Sequence, residues 1–176
     1  MRPDPDCRLC GLCEGRTHMV LPEGDASSGV ILVGEAPGEN EDLRGRPFVG
    51  RSGRILDAML AEAGMDRSRL LITNTVKCRP PGNRDPTREE MAACRPFLDS
   101  ELRDARIVVG LGKSACRDLM GFDGRMAEIV NVPTTIRVGD RDVPFVPTYH
   151  PAATIYNRNS REELAKTFKM LTEEYF

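Results

Sequence analysis

Four short runs of apolar, largely β-branched residues limit what this chain can fold into: Val30-Ile-Leu-Val33, Leu70-Leu-Ile-Thr73, Ile107-Val-Val-Gly-Leu111 and Val143-Pro-Phe-Val146. Their hydrophobicity is continuous rather than alternating, which marks strands buried on both faces. Helical patterns lie between and after them, over about 52–63, 87–103, 113–120 and 161–175. The second opens on a capping box, Thr87 with Glu90, preceded by Pro86. Strands alternating with helices make βαβ units, so the expected architecture is α/β, with a mainly parallel sheet covered on both sides. One domain is expected across 1–176, and the less regular stretch 123–142 reads as a hairpin.

Ligands of such folds bind beyond the carboxyl ends of the strands. Here those ends carry Gly34-Glu-Ala-Pro-Gly38, Asn74, Gly110-Leu-Gly112 and Tyr149-His-Pro151. In the first loop two glycines permit a tight turn with exposed amides, Pro37 stiffens it, and Glu35 can orient water or stabilise positive charge. Glu41 follows in the same acidic segment. Phe48, between Pro47 and Gly50, has the setting of an aromatic platform. The Asn74 amide can donate and accept at once, which suits a pyrimidine edge. His150, one of two histidines, can hydrogen-bond a developing anion, whereas His18 reads as structural. Taken singly, each has a plainer explanation: a surface turn, a core phenylalanine, an Asx turn, a structural histidine. Gly110-Leu-Gly-Lys-Ser-Ala115 imitates two nucleotide-binding motifs, but Ile107 stands where a P-loop needs glycine and no acidic residue follows at dinucleotide spacing, so a tight strand-to-helix turn suffices.

Six cysteines, Cys7, Cys10, Cys13, Cys78, Cys94 and Cys116, sit in a chain whose start lacks the apolar core of a signal peptide. A cytoplasmic location is therefore expected, and with it reduced thiols. Cys7, Cys10 and Cys13 form two overlapping Cys-x-x-Cys pairs, while Cys78 and Cys94 flank a polar, Pro-rich loop. Four of these can converge on one metal centre, zinc or iron–sulfur, with Cys116 left as core. The 176 residues carry 25 Lys plus Arg against 27 Asp plus Glu, a net charge of −2 that gives nucleic-acid binding no support. The average hides a basic stretch, Lys77 to Arg88, with four basic residues against one acid, able to contact phosphates. No apolar run approaches the roughly 20 residues that span a bilayer.

Together these segments resemble the family 4 uracil-DNA glycosylases, the iron–sulfur, thermostable-type branch of the uracil-DNA glycosylase superfamily. The resemblance rests on Cys7-x-x-Cys10 with Glu14-Gly-Arg-Thr17, Gly34-Glu-Ala-Pro-Gly38, Gly45-Arg-Pro-Phe-Val-Gly50, Ile72-Thr-Asn-x-x-Lys-Cys-Arg-Pro-Pro81, Cys94 and His150-Pro-Ala152. It implies a three-layer α/β/α sandwich around a central four-stranded parallel sheet, and a 4Fe-4S cluster held by Cys7, Cys10, Cys78 and Cys94, with Cys13 spare. The implied enzyme is a monomer that flips deoxyuridine out of single- or double-stranded DNA, hydrolyses its N-glycosidic bond and leaves an abasic site. In it Phe48 stacks on the base, Asn74 reads its edge, and Ala36 and Gly38 contribute loop amides. Glu35, then Glu41, is the candidate carboxylate for the sugar cation and water, and His150 stabilises departing uracil. Residues 152–157 would enter the minor groove. Two departures from related families shape the reading: family 1 enzymes have an aspartate where this chain has Ala36, and the loop 82–87 lacks the histidine with which another branch captures DNA covalently. The rival expectation is a catalytically inactive, metal-stabilised DNA-binding protein of the same fold.

Overall fold

The structure, a computed structural model, describes residues 2–176. In chain order its elements are β1 (Glu23–Gly24), β2 (Val30–Gly34), α1 (Glu39–Arg44), α2 (Arg51–Glu62), β3 (Leu71–Asn74), α3 (Arg88–Leu102), β4 (Ile107–Leu111), α4 (Lys113–Met120), α5 (Met126–Ile129), β5 (Thr134–Val138), β6 (Arg141–Thr148) and α6 (Arg158–Tyr175). The four apolar runs become β2, β3, β4 and β6, and these are neighbours, all parallel, in the order β3-β2-β4-β6. The register places Leu32 beside both Ile72 and Val109, and Gly34 beside Asn74.

The expected four-stranded parallel core is present, but antiparallel strands extend it to six: β1 along β3 and β5 along β6. Two residues of β1 are too few to leave a periodic signal. The stretch 123–142, expected as a hairpin, instead holds the short α5 and then β5, which forms a hairpin with β6, the strand of the fourth apolar run.

Why the strands read as continuous apolar runs is visible in the packing. Val30, Leu32, Ile72 and Val109 face Leu56, Leu60, Leu164 and Phe168 of α2 and α6, while Ile31, Val33, Leu71 and Val108 face Leu98 and Leu102 of α3 and Leu119 of α4. Helices thus cover both faces, a three-layer arrangement. Leu32 is fully buried, and its truncation to alanine would cost about 2–5 kcal/mol. A third cluster packs Leu12, Val76, Met91 and Phe97 around Cys78 and Cys94.

The helix boundaries follow their caps. Thr87 Oγ1 accepts from the Glu90 amide at 3.2 Å and Glu90 Oε2 accepts from the Thr87 amide at 2.9 Å, the predicted capping box at the head of α3. Asn157 caps α6, which starts three residues before the expected 161 because the Asn157 carboxamide satisfies the Ser160 amide. Gly112 joins β4 to α4 at φ 94°. A Cβ there would lie 3.0 Å from the Cβ of His150, so the glycine pair that imitates a nucleotide motif serves a tight turn and close packing instead. Among the described residues no helix is long and apolar enough to cross a membrane.

Candidate functional site

The carboxyl ends of β2 and β3, the turn before α2 and the segment after β6 enclose a cleft of about 390 Å³. Glu35, Ala36, Gly38, Glu41, Phe48, Asn74 and His150 all line it, so every candidate cleft residue meets at one place. Gly34 makes the junction possible. A Cβ on it would lie 2.5 Å from Asn74 Oδ1 and 2.6 Å from Phe48 Cζ, so only glycine lets the ring and the amide approach the strand end together.

Phe48 is buried and stacks on His150, with ring centroids 5.8 Å apart and planes 30° from parallel. Its φ of 51° lies in the left-handed region, a strained position for a bulky side chain. Glu41 helps to hold it there. Its Oε2 accepts from the amides of Val49 (3.0 Å) and Gly50 (2.8 Å), and its Oε1 from that of Gly38 (3.1 Å). These bonds engage both carboxylate oxygens of Glu41, which the sequence reading offered as a catalytic acid. The Gly38 amide, expected to face substrate, is spent on Glu41 as well.

Glu35 is half-buried at the end of β2. Burial pushes its carboxyl above the ordinary range; a hydrogen bond from Ser114 opposes this, and the neighbouring carboxylate of Asp85 adds to it. His150 is driven the other way, to about 4, by burial, against the pull of Glu41. Its imidazole is therefore neutral near pH 7. Nδ1 accepts from the Ala152 amide at 3.1 Å, which assigns the proton to Nε2 and leaves an N–H to donate.

Lys77 is not the DNA-facing charge that its place in the basic stretch suggests. It is fully buried, and its Nζ donates to Thr73 Oγ1 (2.7 Å), the Asn74 carbonyl (2.7 Å) and Glu101 Oε2 (2.8 Å). It ties Asn74 to α3. Arg84 is likewise engaged in a two-point pair with Glu90 at 2.9 and 2.6 Å, and Arg79 donates to Asn83. Arg88 is exposed. Beyond His150 the chain makes a short 3-10 turn, Pro151–Ile155, and then presents Tyr156, 88% exposed.

Cys7, Cys10, Cys13, Cys78 and Cys94 line a second, small pocket with Arg16 and Met19. Cys116 stands apart in the core, its thiol pushed up to about 12 by burial, as expected of a structural cysteine. Burial also raises the Cys78 thiol and pushes that of Cys94 up to about 11. Arg16, part of the Glu14-Gly-Arg-Thr17 motif but given no role from sequence, donates to the Cys7 carbonyl at 2.8 Å and lies 3.5 Å from Cys78 Sγ. Among the described residues no three His, Cys, Asp or Glu side chains come together closely enough to hold a single ion. His18 is structural, as read, its Nδ1 2.8 Å from the Asp42 carbonyl.

A family model described as the Uracil DNA glycosylase superfamily matches residues 21–172. The chain is 41% identical to a type-4 uracil-DNA glycosylase of Sulfurisphaera tokodaii, covering 95% of this chain and 79% of the relative. It is 40% identical to that of Archaeoglobus fulgidus, over 95% and 87% of the two chains. With a type-5 uracil-DNA glycosylase of Pyrobaculum aerophilum the identity falls to 31%, over 85% and 74%.

Proposed function

The chain belongs to the uracil DNA glycosylase superfamily, on its type-4 branch, and from that premise we infer that it is a repair enzyme that excises uracil from DNA. The target nucleotide is flipped out of the stack into the cleft, because its sugar carbon is unreachable inside the duplex. Phe48 stacks on the base and the buried Asn74 pairs with its edge, rejecting the amino group of cytosine. Ala36, beside them in the cleft, contributes the loop contact that Gly38 cannot.

The bond from C1′ to N1 breaks with its electron pair leaving on uracil, whose charge spreads to the carbonyl oxygens. The observation that carries this reading is the neutral His150, held by the Ala152 amide so that Nε2–H is the donor. A neutral donor stabilises a uracil anion without first protonating it. Glu35 faces the sugar cation. It receives a proton from the water that adds to C1′, and its raised affinity for protons suits it to that task. Glu41 is assigned to positioning, since its oxygens hold the amides of the Phe48 turn. Residues 152–157, tipped by Tyr156, enter the minor groove. These reactive features, a poised base and a neutral anion-stabiliser in one cleft, set the enzyme above an inactive binding protein.

Cys7, Cys10, Cys78 and Cys94 are assigned to a 4Fe-4S cluster. Four thiols, two from the N-terminal segment, one from the loop after β3 and one from α3, in an apolar setting with one arginine, fit the soft donor set that such a cluster requires. When bound through these cysteines, such a cluster would tie the N-terminal segment to the loop that follows Asn74 and to α3. The test of activity uses a uracil-containing oligonucleotide and its thymine counterpart, each treated with alkali to cut abasic sites. Cleavage of the uracil strand alone is expected; intact uracil DNA with folded protein would sink the reading.

A further inference from the structure

We propose that Arg67, which lies outside the cleft, is the positioning residue that holds Phe48 as a stacking platform for the flipped base; this rests on the uracil-excising reading above. The turn at Phe48 has a left-handed φ that a phenylalanine does not adopt unless its surroundings impose it. They impose it from two sides. On the cleft side Glu41 Oε2 takes the amides of Val49 and Gly50. On the far side the guanidinium of Arg67 takes the two preceding carbonyls, Nη2 donating to Pro47 at 2.7 Å and Nη1 to Phe48 at 2.8 Å.

Four successive residues, 47 to 50, are therefore pinned through alternate polarity, carbonyls to a cation and amides to an anion. Ion pairs with Asp57 at 3.1 Å and Glu23 at 3.7 Å fix Arg67 in turn. Its side chain is 17% exposed, so its donors are not diverted to water. Gly53 completes the seat, since a Cβ there would collide with the Phe48 carbonyl. The fork of a guanidinium spans two consecutive carbonyls, which a lysine ammonium cannot match. Of the two clamps only Arg67 can be changed without altering the lining of the cleft.

The experiment is a double-mutant cycle on uracil DNA using Arg67→Met and Phe48→Ala. Arg67→Met is expected to raise KM about tenfold with kcat changed less than about threefold, the signature of lost binding rather than lost chemistry. In the Phe48→Ala background the same change should add less than about twofold, because there is no ring left to place. An equal loss in both backgrounds, or an unchanged KM, overturns the proposal. Arg67→Lys, which keeps charge and bulk, should share the KM rise and serves if the methionine variant does not fold. Arg137→Met, at an exposed arginine of β5 outside the clamp and the cleft, is the control, expected within about twofold of the parent. Amide hydrogen exchange gives a readout independent of turnover: Val49 and Gly50 should exchange about tenfold faster in either Arg67 variant, and unchanged exchange overturns the clamp whatever the activity. A parent protein that releases no uracil counts against the functional reading alone.

Discussion

The base cleft and the cysteine pocket grow from the same stretch of chain, Thr73 to Cys78, yet they are held together in different ways. The cleft is braced by the protein's own hydrogen bonds: Glu41 and Arg67 on the Phe48 turn, Ala152 on His150, Lys77 on the backbone of Asn74. The cysteine pocket has apolar neighbours and one arginine. Burial raises the Cys78 and Cys94 thiols, which favours their protonated forms until a positively charged centre displaces the protons. The geometry of the first is intrinsic to the fold. That of the second would be completed by the cluster proposed for its cysteines.

The largest expected effect separates chemistry from support. Glu35→Gln should lower kcat by about 10³-fold while leaving the thermal midpoint within about 2 °C of the parent, measured by single-turnover excision and calorimetry. A loss below tenfold would move the catalytic carboxylate elsewhere. Cys78→Ser should do the reverse. The visible absorption of the proposed cluster should vanish and Tm fall by about 5 °C or more, with a smaller loss of rate than in the Glu35 variant, and an unchanged Tm would erase the contrast between the two regions. The smallest effect lies in the pH profile. Burial, with Asp85 beside it, holds the Glu35 carboxyl above its ordinary range, so the acidic limb of kcat/KM follows Glu35 losing its proton. Asp85→Asn removes a neighbouring negative charge, favours the ionised form and should move that limb to lower pH. A limb that stays in place would show that burial alone sets Glu35.

How much of this was legible beforehand depended on whether the cause was local. The parallel strands could be read because burial on both faces demands uninterrupted apolar residues, and the start of α3 because Thr87 and Glu90 cap it within one turn. Edge strand β1 and helix α1 escaped because short elements owe their existence to neighbours distant in sequence. The cleft residues could be gathered from motifs at strand ends, but their tasks could not all be assigned. Glu41 looked like a free acid because nothing in a linear chain shows three amides closing on it. Lys77 counted as surface charge because its partner Glu101 lies 24 positions away. Arg67 carried no signal at all, being 19 and 20 residues from the carbonyls it holds.

The sheet ends in two unlike borders, and their shape bears on how the protein survives at high concentration. Open strand edges are templates on which a second chain can zip up. One border is only the two residues of β1, too short for a stable ladder with a stranger. The other, β5, turns Thr134, Thr135 and the charged Arg137 to solvent and keeps only Ile136 and Val138 inward. The long apolar strands that would aggregate most readily are thus fenced on both flanks, and copies crowded along a damaged genome have little sheet surface through which to stick to one another.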